Sequence, residues 1–107
     1  MGAATYRLNE DEAQLLSFNA IPRGCGIGSA LLVAVEEAVR RTGRRRLWLV
    51  TTNDNVDSLR FYQRRDYRLV ALFPGAVDAA RARKPMISRL GVHGIPIHDE
   101  LVLEKRL

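Results

Sequence analysis

The chain has 107 residues, of which 47% are apolar and 27% charged, with one cysteine and a formal net charge of +5. That size supports one modest hydrophobic core of ordinary globular composition, and a lone cysteine excludes an internal disulfide framework. No apolar run approaches the ~20 residues of a membrane-spanning helix and the start lacks a basic-then-apolar leader pattern, so the expected location is cytoplasmic, with no membrane partner.

Residues 3–8 and 13–21 read as strands joined by the polar turn Asn9-Glu10-Asp11-Glu12. A helix is expected from about Gly26 to Arg41. Ile27, Leu31, Val35 and Val39 recur at four-residue spacing on one face, with Ala30, Ala34 and Ala38 beside them. Glu36, Glu37, Arg40 and Arg41 fall elsewhere on that helix, and Gly43 suits its C-terminal cap. Leu47-Trp48-Leu49-Val50 is a continuous apolar run, as expected of a strand covered on both faces. A second helix is expected over 56–65, with Asn55 or Asp54 as N-cap. A strand over 67–73 should stop at Pro74-Gly75, and a short helix over 76–83 should end before Pro85. A loop over 91–96 and a strand over 98–106 complete the order β-β-α-β-α-β-α-β. This order predicts an α/β fold with a mixed sheet, in one domain spanning 1–107.

The stretch Arg23-Gly24-Cys25-Gly26-Ile27-Gly28-Ser29 carries the strongest functional signal. A strand, a glycine-dense turn and a helix together present backbone N–H groups at the positive end of a helix dipole, which suits a phosphate or pyrophosphate. A P-loop would need Lys-Ser/Thr after its last glycine, and Ser29-Ala30 follows Gly28 here. A dinucleotide fingerprint counted from Gly24 would need a glycine where Ser29 stands. The remaining pattern is Arg-x-x-Gly-x-Gly, met by Arg23, Gly26 and Gly28. It resembles the pyrophosphate-binding motif of the GNAT superfamily of acyl-CoA-dependent N-acetyltransferases. A second block supports the resemblance. Asn53-Asp54-Asn55-Val56-Asp57-Ser58-Leu59-Arg60-Phe61-Tyr62-Gln63-Arg64-Arg65-Asp66-Tyr67 is similar to the family's Asn…Ala-x-x-Phe-Tyr…Gly-Phe segment.

The resemblance implies a GNAT-like enzyme that binds acetyl-CoA as cosubstrate and transfers the acetyl group directly to an amine on a small molecule or a protein. It implies that the backbone of Arg23, Gly24, Cys25, Gly26, Ile27, Gly28 and Ser29 holds the pyrophosphate. Phe18, Asn19, Ala20 and Ile21 would pair with the pantetheine arm through their backbone, joined by Asn53 and Ser58. Tyr62 would be the general acid toward the departing thiolate. Many relatives place a glutamate base early in the strand before the glycine turn. Gln14 stands there and cannot accept a proton as a carboxylate does, so Glu12, two residues earlier on the same face, is the next candidate. No metal is expected, since no His/Cys/Asp cluster has ligand spacing. Family domains open with a strand, one or two helices and another strand before the point where this chain starts. The implied domain is therefore N-terminally truncated, and its uncovered edge and apolar faces lead us to expect a homodimer.

Each assignment has a structural counterpart. The three glycines can form a plain tight turn, Asn53 and Asn55 can be turn and capping residues, and one of Phe61 and Tyr62 belongs to the core. Cys25 is read as a bystander. Asp66 stands where the family has glycine, at a helix exit that asks for positive φ. His93 and His98 show no tie to the site. The arginines at 40, 41, 44, 45 and 46 read as a solvated helix end, with nucleic acid outside the expected partners. The alternative to an enzyme is a non-catalytic GNAT-like module that acts through self-association or a protein partner.

Overall fold

A computed structural model describes residues 2–20 and 26–107. They form two compact units, Met1–Leu49 with Lys105–Leu107, and Val50–Glu104. The strands lie in one mixed sheet of order β1-β2-β3-β5-β4, as anticipated for a mixed α/β arrangement.

In the first unit, β1 (Gly2–Leu8) turns through Asn9, whose N–H donates to Glu12 O at 2.8 Å, into antiparallel β2 (Glu12–Ala20). Helix α1 (Ile27–Arg41) then carries the chain across to β3 (Arg46–Thr52), which pairs parallel to β2 from Glu12↔Arg46 to Leu15↔Leu49. A parallel pair needs such a crossover, because no tight turn can connect two strands running the same way. Ala13, Leu15, Leu47 and Leu49 alternate into the core with strand period, and Leu32, Val35 and Val39 of α1 are buried with helical period. Gly2 lies close to α1, and a Cβ there would meet Leu31 Cδ2 at 3.0 Å and Ile27 Cγ2 at 3.3 Å.

Two expectations change here. Glu36, read as lying off the apolar face of α1, is not left to solvent. It is buried, and both carboxylate oxygens lie 3.2 Å from Lys105 Nζ on β5. The 47–50 run is not covered on both faces. Leu47 and Leu49 are buried, Trp48 is half-buried and Val50 is exposed, so the run alternates like a one-sided strand. Leu, Trp and Val are all apolar, so hydrophobicity alone hid the alternation. Arg46 lies over the Trp48 ring at 5.4 Å, and the indole Nε1 is buried with no hydrogen-bond partner among the described residues.

The second unit contains α2 (Val56–Gln63), β4 (Arg68–Phe73), α3 (Ala76–Arg83), a 3-10 turn at Val92–Gly94 and β5 (Glu100–Arg106), whose last residues belong to the first unit. β4 and β5 are antiparallel, from Arg68↔Glu104 to Phe73↔Glu100. Asn55 caps α2, its side chain accepting the Ser58 N–H at 3.3 Å. The helix ends earlier than 65 because a Schellman turn closes it. Asp66 has φ 72°, its N–H donates to Gln63 O, and the Tyr67 N–H donates back to Tyr62 O at 3.1 Å. The apolar contact that accompanies such turns is the Tyr62–Tyr67 ring pair, with centroids 5.4 Å apart.

Candidate active site

In the first unit, the end of β2 and the start of α1 carry the proposed cofactor residues. Gly2, Ala3 and Ala4 of β1 pair with Ala20, Asn19 and Phe18. The β2–β3 ladder closes at Leu15↔Leu49, so among the described residues β2 is registered with β1 alone from Ser17 onward. Gly26 is the N-cap of α1 with φ 78°, a conformation that glycine adopts without penalty. It offers no side-chain cap, no acidic residue occupies the first turn, and the helix begins with the Ala30 N–H donating to Gly26 O at 3.1 Å. Ile27, Gly28 and Ser29 form that first turn, with no carboxylate in it to neutralise the positive dipole end. Ile21, Arg23, Gly24 and Cys25 lie outside the described residues.

Glu12 stands at the opposite end of β2. Its register partner across the sheet is Arg46, and Arg46 Nη1 lies 2.5 Å from Glu12 Oε2. Eight residue steps along the strand separate it from Ala20, roughly 26 Å at ~3.3 Å per step. An open cleft there is lined by Asp11, Glu12, Gly43, Arg45, Arg46 and Arg106. Gln14 accepts a hydrogen bond from Arg7 Nη2 at 2.8 Å. In the arginine run, Arg44 Nε donates to Asn9 O and the Arg45 backbone N–H donates to Asp11 O. Among the described residues no group of three or more His, Cys, Asp or Glu side chains is placed to hold a metal ion.

In the second unit, Asn53 follows β3 and is locked into the 96–99 loop. Its Oδ1 accepts the N–H groups of His98 and Asp99 at 2.9 and 3.0 Å, and its Nδ2 donates to Pro96 O at 2.9 Å. Its second amide N–H has no hydrogen bond among the described residues. Tyr62 is buried, edge-on to Phe61 with centroids 5.2 Å apart, and burial pushes its phenol up to about 12. Tyr62 is therefore the core member of the Phe61-Tyr62 pair, while Phe61 lies half-buried beneath the Arg65 guanidinium at 3.8 Å.

The loop from 91 to 99 bonds repeatedly to the segment from 53 to 57, a feature the sequence did not signal. Asp54 is buried and accepts from the Thr52 hydroxyl and from the Val92 N–H at 3.0 Å. Burial alone would raise this carboxyl, but those hydrogen bonds outweigh it and hold Asp54 below the usual carboxylate range. Both histidines, expected to stand apart, are tied in. His93 Nε2 lies 2.8 Å from Asp57 Oδ2 on α2. The His98 Nδ1 lies 3.0 and 3.1 Å from the Asp78 carboxylate oxygens, a hydrogen bond that is the foremost cause lowering that carboxyl. Asp78 also receives Arg81, a buried guanidinium that donates to the carbonyls of Ile87, Ser88 and Ile97.

Comparison with known proteins identifies the family. Residues 2–67 match the profile of the acetyltransferase (GNAT) family. The whole chain is 46% identical to 67% of the Bacillus subtilis (strain 168) protein YxbD, itself uncharacterised. Among solved structures, a GNAT family acetyltransferase from Elizabethkingia anophelis with acetyl-CoA bound superposes with a TM-score of 0.84 at 17% identity, over 99% of this chain and 68% of that one. A Bacillus subtilis acetyltransferase in complex with CoA gives 0.82 at 16% identity, with the same two shares. The chain thus spans about two thirds of the length of these relatives. With more than half its residues on the family profile and its whole length on a close relative, this chain belongs to the GNAT acetyltransferase family.

Proposed function

We propose that this chain, read as one domain, binds acetyl-CoA and transfers the acetyl group directly to an amine. The observation that carries this reading is the end of β2. The strand leaves the β3 ladder at Leu15 and runs toward a left-handed Gly26 that caps α1 without a side chain. Such a strand offers backbone groups to an extended amide-bearing arm, and the helix start offers N–H groups to a pyrophosphate. Phe18, Asn19, Ala20 and Ile21 serve the first role, and Arg23 through Ser29 the second. The remaining Asn53 N–H and Ser58 complete the arm's contacts. Tyr62 meets the departing sulfur. A phenol near 12 is a weaker acid than a thiol of about 8.5, so Tyr62 acts as a hydrogen-bond donor to the developing thiolate more than as a free proton source. Acetyl transfer of this kind needs no metal. The setting we propose is cytoplasmic, with a small-molecule or protein amine as acceptor.

A second reading, a non-catalytic module acting by association, is favoured by one observation. β4 leaves Leu69, Val70, Leu72 and Phe73 exposed. Calorimetric titration of acetyl-CoA into the chain separates the two. Binding on the order of micromolar, abolished in Gly26→Asp and Gly28→Asp by bulk and negative charge against the pyrophosphate, supports the enzyme. No heat from folded native protein supports the module, and retained affinity in both variants would falsify the glycine turn as the cofactor site.

A further inference from the structure

We propose that His93, oriented by Asp57, is the proton acceptor for the amine in the acetyl transfer put forward above, on which this inference rests. That chemistry needs a base, and the carboxylates on hand are poorly suited. Glu12 is ion-paired to Arg46 at the far end of β2, and Asp54 is buried with its oxygens bonded to Thr52 and Val92. The Asp78 partner of His98 is shared with Arg81, inside a network that binds together Ile87, Ser88 and Ile97.

His93 differs on three counts. Its ring is 54% exposed and bonds to Asp57 through Nε2, which leaves Nδ1 as the nitrogen available to an amine. Its backbone sits at φ 59°, a left-handed conformation that a non-glycine residue keeps only when its surroundings impose it. The surroundings are visible. The Val92 N–H is fixed on Asp54, and Gly91 packs so tightly that a Cβ would lie 2.1 Å from Asp54 Oδ2. The same loop fastens Asn53, the proposed contact for the thioester arm, through Pro96, His98 and Asp99. An imidazole–carboxylate pair is thereby fixed to the segment that would hold the cofactor. Among the described residues this turn bonds to Asp57, with Arg60 3.8 Å behind it, and to Asp54.

The step balances without another reactant. The amine nitrogen attacks the thioester carbonyl, the new N–C bond forms, and the C–S bond breaks with its electron pair leaving on sulfur. The N–H proton passes to His93 Nδ1 and on to solvent, while the thiolate takes a proton from water. Asp57 is a positioning residue that fixes the ring and its tautomer.

The test uses the whole chain, acetyl-CoA, and three acceptor probes: spermidine, tyramine and a hexapeptide with a free N-terminus. Free-thiol release is followed from about pH 5 to 8, where an imidazole titrates, with calorimetry of acetyl-CoA run in parallel. The expected result for His93→Asn is a loss of about 100-fold or more in kcat/KM, with cofactor affinity kept and the acid limb of the profile gone. Free imidazole should partly restore His93→Ala, and Asp57→Asn should lower kcat while leaving KM and acetyl-CoA affinity unchanged. An unchanged rate and pH profile in His93→Asn overturns the inference. So does a rate loss that only parallels lost acetyl-CoA affinity, since the pair is then a tie for the loop. If native protein binds no acetyl-CoA or acetylates no probe, the enzyme reading itself has failed and this inference falls with it.

Discussion

At Gly91 a single hydrogen in place of a side chain lets a backbone turn reach a buried carboxylate. Any Cβ there would stand 2.1 Å from Asp54 Oδ2 and 2.8 Å from Ile97 Cγ1. Gly91→Ala must push the loop away from Asp54, which loses the Val92 bond as well. We expect a cost of roughly 2 kcal/mol or more, read as a lower midpoint in urea; an unchanged midpoint would show that the loop accommodates the methyl group. Asp54 gives a pH signature of its own. Its folded carboxyl titrates below the unfolded one, so between the two values the unfolded chain binds more protons and stability rises with pH. The contribution is complete above about pH 4, the ordinary value, and fades as pH falls through the depressed one. Urea melts of native protein should show this loss, and Asp54→Asn should remove that part of the slope while lowering stability at neutral pH.

At the scale of an element, the exit of α2 joins backbone geometry to the proposed chemistry. The Schellman turn places Tyr62 at the third residue from the helix end and Tyr67 just beyond the turn, so the motif's own apolar contact buries Tyr62. That burial is the cause of its raised phenol. Asp66 occupies the left-handed position of the turn, where glycine pays no Cβ penalty. Asp66→Gly should stabilise the chain by about 0.5–1 kcal/mol, a melting-temperature rise of roughly 4 °C for a domain of this size. A lower melting temperature would mean that the Asp66 side chain contributes a bond of its own. The α3 end works differently. Arg81 gathers three carbonyls of the following loop, so side-chain donors replace the regular ladder where the chain has little secondary structure.

For the molecule as a whole, the sheet order leaves β4 at an edge, paired among the described residues with β5 alone. Leu72 and Phe73 there are more than half exposed. Edge strands with apolar side chains invite pairing with another chain. The expected outcome of light scattering is a mass of two chains, and Leu72→Lys should return it to one. A monomeric native protein would remove the case for association. Among the described residues no helix is long and apolar enough to cross a membrane.

Local signals in the sequence determined much of this protein. The strand and helix periods, the capping Asn55, the Pro74-Gly75 stop and the glycines at 26 and 43 fixed where elements begin and end, because each acts within a few residues of itself. The glycine turn and the Asn53–Tyr67 block made the family legible for the same reason. Facts that depend on a distant partner stayed hidden. The burial of Glu36 depends on Lys105, 69 residues away, and the engagement of His93 on Asp57, 36 residues away. A hydrophobic pattern also says that a strand has an inner face without saying whether the other is covered, so the exposure of Val50 is not legible in it. Only the tertiary structure brought the 91–99 loop onto 53–57, because hydrogen bonds between remote segments leave no periodic trace in either one.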